Sequence, residues 1–220
     1  MNKETRRSFL KTSLYTGATV AWTAKSWGQV KGANETLRCA TVGFRGRGGS
    51  HIGSITGMQK REQGVKLAAL CDVDKKVLDA GAAKHKVKGY QDIREMLEKE
   101  DLDVVTVATP NHWHSLAAIW AIQAGKDVYV EKPVSHNVWE GRQLVNAARK
   151  YKKIVQTGTQ ARSSKCIQDA VQWVQAGNLG KIKVSRGLCY KRRGSIGDIA
   201  DTQEVPREVD YNLWLGPAPK

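Results

Sequence analysis

Between residues 37 and 155 the chain switches repeatedly between short, largely apolar runs and stretches whose apolar residues recur every three or four positions. Leu37 to Val42, Val65 to Cys71, Leu102 to Ala108 and Val128 to Val130 are the runs, and Ile154-Val155 closes the series. Between them, Gly49 to Lys60 fits a helix, Val77, Leu78, Gly81 and Ala82 form one helical face, and Ile93, Met96 and Leu97 form another. Trp113, Leu116, Ala117, Trp120 and Ala124 make a further stripe, and Val138, Leu144, Val145, Ala148 and Tyr151 the next. A strand that is apolar at nearly every position is covered on both faces, and helices between such strands supply the cover. The pattern therefore predicts α/β architecture with a doubly wound parallel sheet. Right-handed crossovers bring every strand's carboxyl end to one edge, where such sheets bind ligands.

The first run ends in Val42-Gly43-Phe44-Arg45-Gly46-Arg47-Gly48-Gly49. In the G-x-G-x-x-G register Gly43 and Gly48 are present, and Arg45 replaces the middle glycine. A strand precedes the loop, a helix follows, and Asp72 ends the second run 24 residues beyond Gly48. Backbone N–H groups at a helix N-terminus hold a pyrophosphate, and an acid in that place accepts hydrogen bonds from the adenosine ribose. The expected ligand is a dinucleotide, with Arg45 or Arg47 meeting a phosphate by charge. Asp72 would repel a 2′-phosphate, which favours NAD over NADP.

Two more strand ends carry polar residues. Ala108-Thr109-Pro110-Asn111-His112-Trp113-His114 holds two histidines, but no carboxylate or thiolate stands near them in sequence, so a metal site is not expected. Their place at the ligand edge suits cofactor contact or capping of the next helix. Tyr129-Val130-Glu131-Lys132-Pro133 puts a lysine at the end of a parallel strand, facing the cleft or paired with Glu131.

The net charge is +15, with Lys150 to Lys153 and Lys191 to Arg193 the densest basic runs. No nucleic-acid-binding signature accompanies them, so they read as solvated surface. No uncharged apolar run approaches the ~20 residues of a membrane-spanning helix. Cys39, Cys71, Cys166 and Cys189 show no C-x-x-C spacing, and no disulfide pairing can be assigned. Thr5-Arg6-Arg7-Ser8-Phe9-Leu10-Lys11 resembles the twin-arginine export motif. The resemblance implies recognition by the twin-arginine export machinery, a leader and linker over residues 1–33, and a periplasmic or otherwise extracytoplasmic location.

Taken together, the Gly43 to Gly49 loop, Cys71-Asp72-Val73-Asp74, the Ala108 to His114 segment, Glu131-Lys132-Pro133, Gly158-Thr159-Gln160 with Arg162, and Asn178-Leu179-Gly180-Lys181-Ile182 resemble the Gfo/Idh/MocA oxidoreductases. The resemblance runs from about residue 36 to the end. It implies a Rossmann-like NAD(P)-binding domain over residues 34–155 and, over 156–220, the truncated start of a second α/β domain with an antiparallel sheet. Lys181 to Tyr190 is the expected first strand of that sheet. The resemblance also implies a cofactor lined by Gly43, Phe44, Arg45, Gly46, Arg47, Gly48, Asp72, Thr109, Asn111, His112, His114, Glu131, Lys132 and Gln160, with Lys132 catalytic. The implied reaction is hydride transfer between NAD and a secondary alcohol of a sugar or cyclitol. An alternative is an NAD-dependent glycoside hydrolase working by transient oxidation, elimination and hydration; another is a non-catalytic nucleotide-binding fragment. No histidine follows His136, so the family's catalytic histidine of the second domain is not expected within these residues. A homo-oligomer is the expectation for the complete protein.

Overall fold

A computed structural model describes residues 36–190, 194–195, 197–198 and 201–219. The twin-arginine stretch and the leader through residue 33 lie outside the described residues. The expected alternation is present. Strands β1 (Leu37–Val42), β2 (Val65–Cys71), β3 (Lys88–Tyr90), β4 (Val104–Val107), β5 (Asp127–Glu131) and β6 (Val155–Gly158) form one sheet in the order β3-β2-β1-β4-β5-β6. All five neighbouring pairs are parallel. Helices α1 (Arg47–Lys60), α2 (Lys75–His85), α3 (Ile93–Lys99), α4 (His114–Gln123) and α5 (Val138–Tyr151) make the crossovers.

Alternate strand residues feed two cores, one on each face. Ala40, Val42, Val105 and Val107 pack with Ala121, Ile122 and Leu144 of α4 and α5. Cys39, Leu67 and Leu70 pack with Ile52, Ile55 and Leu78 of α1 and α2. Asp74 caps α2 by accepting from the N–H groups of Lys76 and Val77, and Asn137 caps α5 by accepting from Glu140 N–H. Such side chains satisfy amides that the first helical turn leaves without partners.

Three elements depart from the sequence reading. β3 was not anticipated: Lys-Gly-Tyr has one apolar residue, and its pairing to Ala69–Cys71 of β2 defines it as a strand. The sheet also runs on through β6 to Gly158, past residue 155. Beyond it, α6 (Lys165–Gln175) carries Ile167, Ala170, Val171 and Val174 at helical spacing. Lys181 to Tyr190, expected as a strand, has no strand pairing, and Tyr190 is 86 % exposed. A strand is stable only against a partner that takes up its N–H and C=O groups, and none of the described residues offers one. A short helix, α7 (Tyr211–Leu215), ends the described chain. Among the described residues no helix is long and apolar enough to cross a membrane.

Candidate functional site: a dinucleotide groove

The strand order reverses between β1 and β4, so their carboxyl ends splay apart and leave a crevice. The glycine loop stands at its centre. Gly43 has φ +73°, and a Cβ there would meet the backbone of Thr109 at 2.8 Å, so glycine is needed for the turn and for the approach of β1 to β4. A Cβ on Gly48 would run into the Gly43 carbonyl oxygen. Asp72, at the end of β2, ties this loop down: its two carboxylate oxygens accept from Phe44 N–H at 3.0 Å and Asp74 N–H at 3.1 Å. Burial pushes the Asp72 carboxyl above its ordinary range, an effect those two N–H groups only partly offset. Each oxygen retains a lone pair for ribose hydroxyls.

The four other loop positions divide. Phe44 turns its ring inward, 8 % exposed, beneath Gly81 and among the α1–α2 core, so only its backbone faces the groove. Gly46 has open space where a Cβ would stand. Arg45, which replaces the middle glycine, is 81 % exposed and reaches Asp74 at 3.4 Å. Arg47 instead points across to the end of β5, where its Nε donates to Glu131 Oε1 at 3.0 Å.

Glu131 is the hub of the other end. It is 4 % exposed, and the same Oε1 also meets His51 Nε2 at 2.9 Å and accepts from Gln160 Nε2 at 2.6 Å. Gln160 Nε2 further donates to the Tyr129 hydroxyl at 2.9 Å. Gly158 pairs with Glu131 across β5 and β6, and a Cβ there would meet both Glu131 and Gln160 at 2.9 Å. Burial raises the Glu131 carboxyl, but the His51 and Arg47 hydrogen bonds outweigh it and hold the group below the usual carboxylate range. Lys132 is exposed at the end of β5, and its neighbour's bound oxygen is committed elsewhere. His51 and Tyr129 were missed from sequence. Arg47 and His51 do stand one helical turn apart, the spacing that puts two side chains on one face.

The Thr109 to His114 segment is mixed. His114 is 2 % exposed, with Nδ1 2.5 Å from Pro133 O and Nε2 2.8 Å from Thr109 O, so it braces the β4 end against the β5 end rather than lining the groove. His112 Nε2 lies 2.9 Å from Trp214 O. Asn111 is exposed on the rim, and the Thr109 hydroxyl is buried without a partner beside the glycine loop. Among the described residues no three His, Cys, Asp or Glu side chains gather as a metal site.

A cavity of about 510 Å³ opens between Gly43–Gly46, Asp72–Asp74 and Thr109–Pro110, within the size range of small-ligand sites. The glycine cradle, the carboxylate of Asp72 and the N-terminus of α1 fit a dinucleotide. The sequence profile described as "Oxidoreductase family, NAD-binding Rossmann fold" (Gfo/Idh/MocA) matches residues 37–159. The chain belongs to this family.

Solved Gfo/Idh/MocA-like structures share the fold. Myo-inositol 2-dehydrogenase from Lactobacillus plantarum superposes with a TM-score of 0.62 and 27 % identity, over 67 % of this chain and 43 % of that one. The WlbA dehydrogenase from Bordetella pertussis, in complex with NADH and UDP-GlcNAcA, gives 0.61 and 27 % identity over 66 % and 44 %. Among curated relatives, a glycosyl hydrolase family 109 protein of Solibacter usitatus (strain Ellin6076) is 34 % identical over 67 % of this chain and 37 % of its own length. An alpha-N-acetylgalactosaminidase of Shewanella oneidensis is 32 % identical over 54 % and 27 %. The chain thus spans 37 % and 27 % of the length of these two curated relatives.

Two consequences follow for this NAD-binding Gfo/Idh/MocA domain. Asp72→Ala removes the anchor of the loop and the carboxylate expected to meet the ribose, and it is expected to weaken NAD binding by about tenfold or more in calorimetry. Glu131→Gln tests the hub through pH. A carboxyl held below its unfolded value of about 4.3 contributes stability above that pH and loses it as pH falls through the folded value. The variant is therefore less stable by about 1–3 kcal/mol at pH 7, and the gap closes in acid. Urea unfolding at pH 7 and pH 3 measures this; an equal gap at both would mean the ionised carboxylate is not what Arg47 and His51 hold.

Proposed function

We propose that the protein transfers hydride between NAD and a secondary alcohol of a sugar or cyclitol. The observation that carries this is the position of Lys132: it stands on the ligand edge at the end of β5, beside a Glu131 whose bound oxygen is taken up by Arg47, His51 and Gln160. Bound NAD supplies the hydride acceptor. Gly43 and Gly48 let backbone N–H groups approach its pyrophosphate, and Asp72 accepts from its adenosine ribose. Lys132 places a positive charge where negative charge develops on the substrate oxygen as the hydroxyl proton leaves, and a preorganised charge of that kind lowers the barrier. Arg47, His51 and Gln160 engage Glu131 Oε1, and among the described residues no ion pair ties Lys132 to Glu131.

A second reading has its own support in the curated glycosidase relatives. In it the same oxidation is transient, elimination and hydration follow, and the returned hydride leaves NAD unchanged overall. Incubation with NAD and a panel of sugars and cyclitols, and with nitrophenyl glycosides, separates the two. NADH accumulation supports net oxidation; nitrophenol release without NADH supports the glycosidase. Neither product from protein shown to bind NAD would sink both. Export by the twin-arginine route, a second domain built on an antiparallel sheet, and homo-oligomer formation through that sheet complete the proposal.

A further inference from the structure

The chain returns to the groove after Asp201. Lys75 N–H donates to Glu208 O at 2.8 Å, Asp210 N–H donates to Val73 O at 3.3 Å, and Val209 forms an antiparallel bridge with Asp74. Four residues later the same segment is fastened to the turn after β4. Trp113 Nε1 donates to Leu213 O at 2.9 Å, His112 Nε2 lies 2.9 Å from Trp214 O, and Gly216 packs against the Trp113 indole. β2 and β4 are the two neighbours of β1 in the sheet, so a segment tied to both crosses above the loop that β1 feeds. Between the ties, α7 is capped by Asp210, which accepts from Leu213 N–H at 3.0 Å, and Tyr211 stacks on Trp214 with centroids 5.8 Å apart.

The segment does not fill the groove. Val205, Pro206, Val209, Tyr211, Leu213 and Trp214, with the polar Gln203 and Glu204, line the 510 Å³ cavity from this segment, and Asp72, Asp74 and the glycine loop line it from the sheet edge. Glu131, Lys132 and Gln160 do not line this cavity. The enclosed space is therefore the Asp72 half, where an adenosine sits in a groove of this topology, and the Lys132 half stands outside it.

We infer that residues 203–216 are a strap that forms the second wall of the adenosine site, gripping the adenosine half of the dinucleotide and slowing its release. The inference rests on the proposed dinucleotide reading of the groove. An apolar wall facing a carboxylate suits a flat heteroaromatic base joined to a diol, with the base against Val205, Pro206 and Val209 and the ribose toward Asp72. Release then requires the strap to lift, which gives Trp113 and Gly216 control over exchange although Gly216 does not line the cavity.

Gly216 is the point at which to unseat it. Its φ of +50° disfavours any side chain, and a Cβ there would collide with the Trp113 ring. In the full chain, Gly216→Val is compared with the parent for affinity and dissociation rate of NAD, and for affinity of AMP, which lacks the nicotinamide half. The expected result is a loss of about tenfold or more in affinity for both nucleotides, with faster NAD release. Unchanged NAD affinity and release in the folded variant would overturn the strap. A loss for NAD without a loss for AMP would overturn its assignment to adenosine. If Gly216→Val does not fold, Val209→Asp, which sets a charge in the apolar wall, is judged by the same results. Failure of the parent itself to bind NAD would sink the dinucleotide reading instead.

Discussion

Lys132→Ala lowers turnover by roughly a hundred- to ten-thousand-fold in a preparation active on sugar or cyclitol with NAD, while NAD affinity changes by less than about threefold. The asymmetry follows from where the side chain stands. In the proposed reading the sheet's adenosine and pyrophosphate contacts come from β1, β2 and the start of α1, and Lys132 belongs to none of these elements. In the proposed role its charge acts on an oxygen whose negative charge grows only during reaction, so its loss is expected to fall on kcat. Lys132→Arg is the informative companion. It keeps the charge but exchanges a compact ammonium for a broad planar fork, and it recovers part of the rate at most. A Lys132→Ala protein with unchanged kcat and a raised KM would reassign the residue to substrate binding.

Gly48→Val abolishes measurable NAD binding, a loss of about a hundredfold or more, and destabilises the domain by about 1–3 kcal/mol. The Cβ it introduces points at the Gly43 carbonyl oxygen, and backbone cannot rotate aside as a flexible side chain would. Opening that turn moves Phe44 off Asp72 and Gly43 off Thr109, so the cradle is lost together with the packing of β1 on β4. The neighbouring Gly49→Ala provides the control. Its Cβ would stand 3.5 Å from Phe44 O, an ordinary contact, and alanine favours the helix by about 1 kcal/mol. Thermal unfolding of the two variants should therefore move in opposite directions, and calorimetry should show NAD binding kept by Gly49→Ala and lost by Gly48→Val. Equal NAD binding by parent and Gly48→Val would show that the close approach is dispensable.

Most of the domain could be read along the chain because its parallel strands are covered on both faces. Val104–Val107 and Val65–Cys71 are apolar because both of their faces lie in a core, and such runs announce themselves without partners. β3 was not legible for the opposite reason, since Lys88–Tyr90 is a strand only because β2 accepts it as an edge. Lys181 to Tyr190 shows the converse: its apolar residues suit a strand, but pairing requires a second strand beside it. The glycine loop and Asp72 were legible because the turn and the acid lie within one β-α-β unit, where spacing in sequence is nearly spacing in space. Phe44 lies in the same loop, yet the direction of its ring depends on the pocket that Gly81 and Leu70 leave for it.

Local pattern thus determined the sheet, its ligand edge, the dinucleotide loop and the presence of a lysine at the end of β5, because each depends on residues close together in the chain. The tertiary structure decided which side chains act together. Arg47 and His51 reach Glu131 across 84 and 80 positions, and the turn at His112–Trp113 meets Leu213 and Trp214 across about 100. Hydrogen bonds form only over about 3 Å, and no periodicity in a sequence encodes which distant groups the crossovers will bring within that reach.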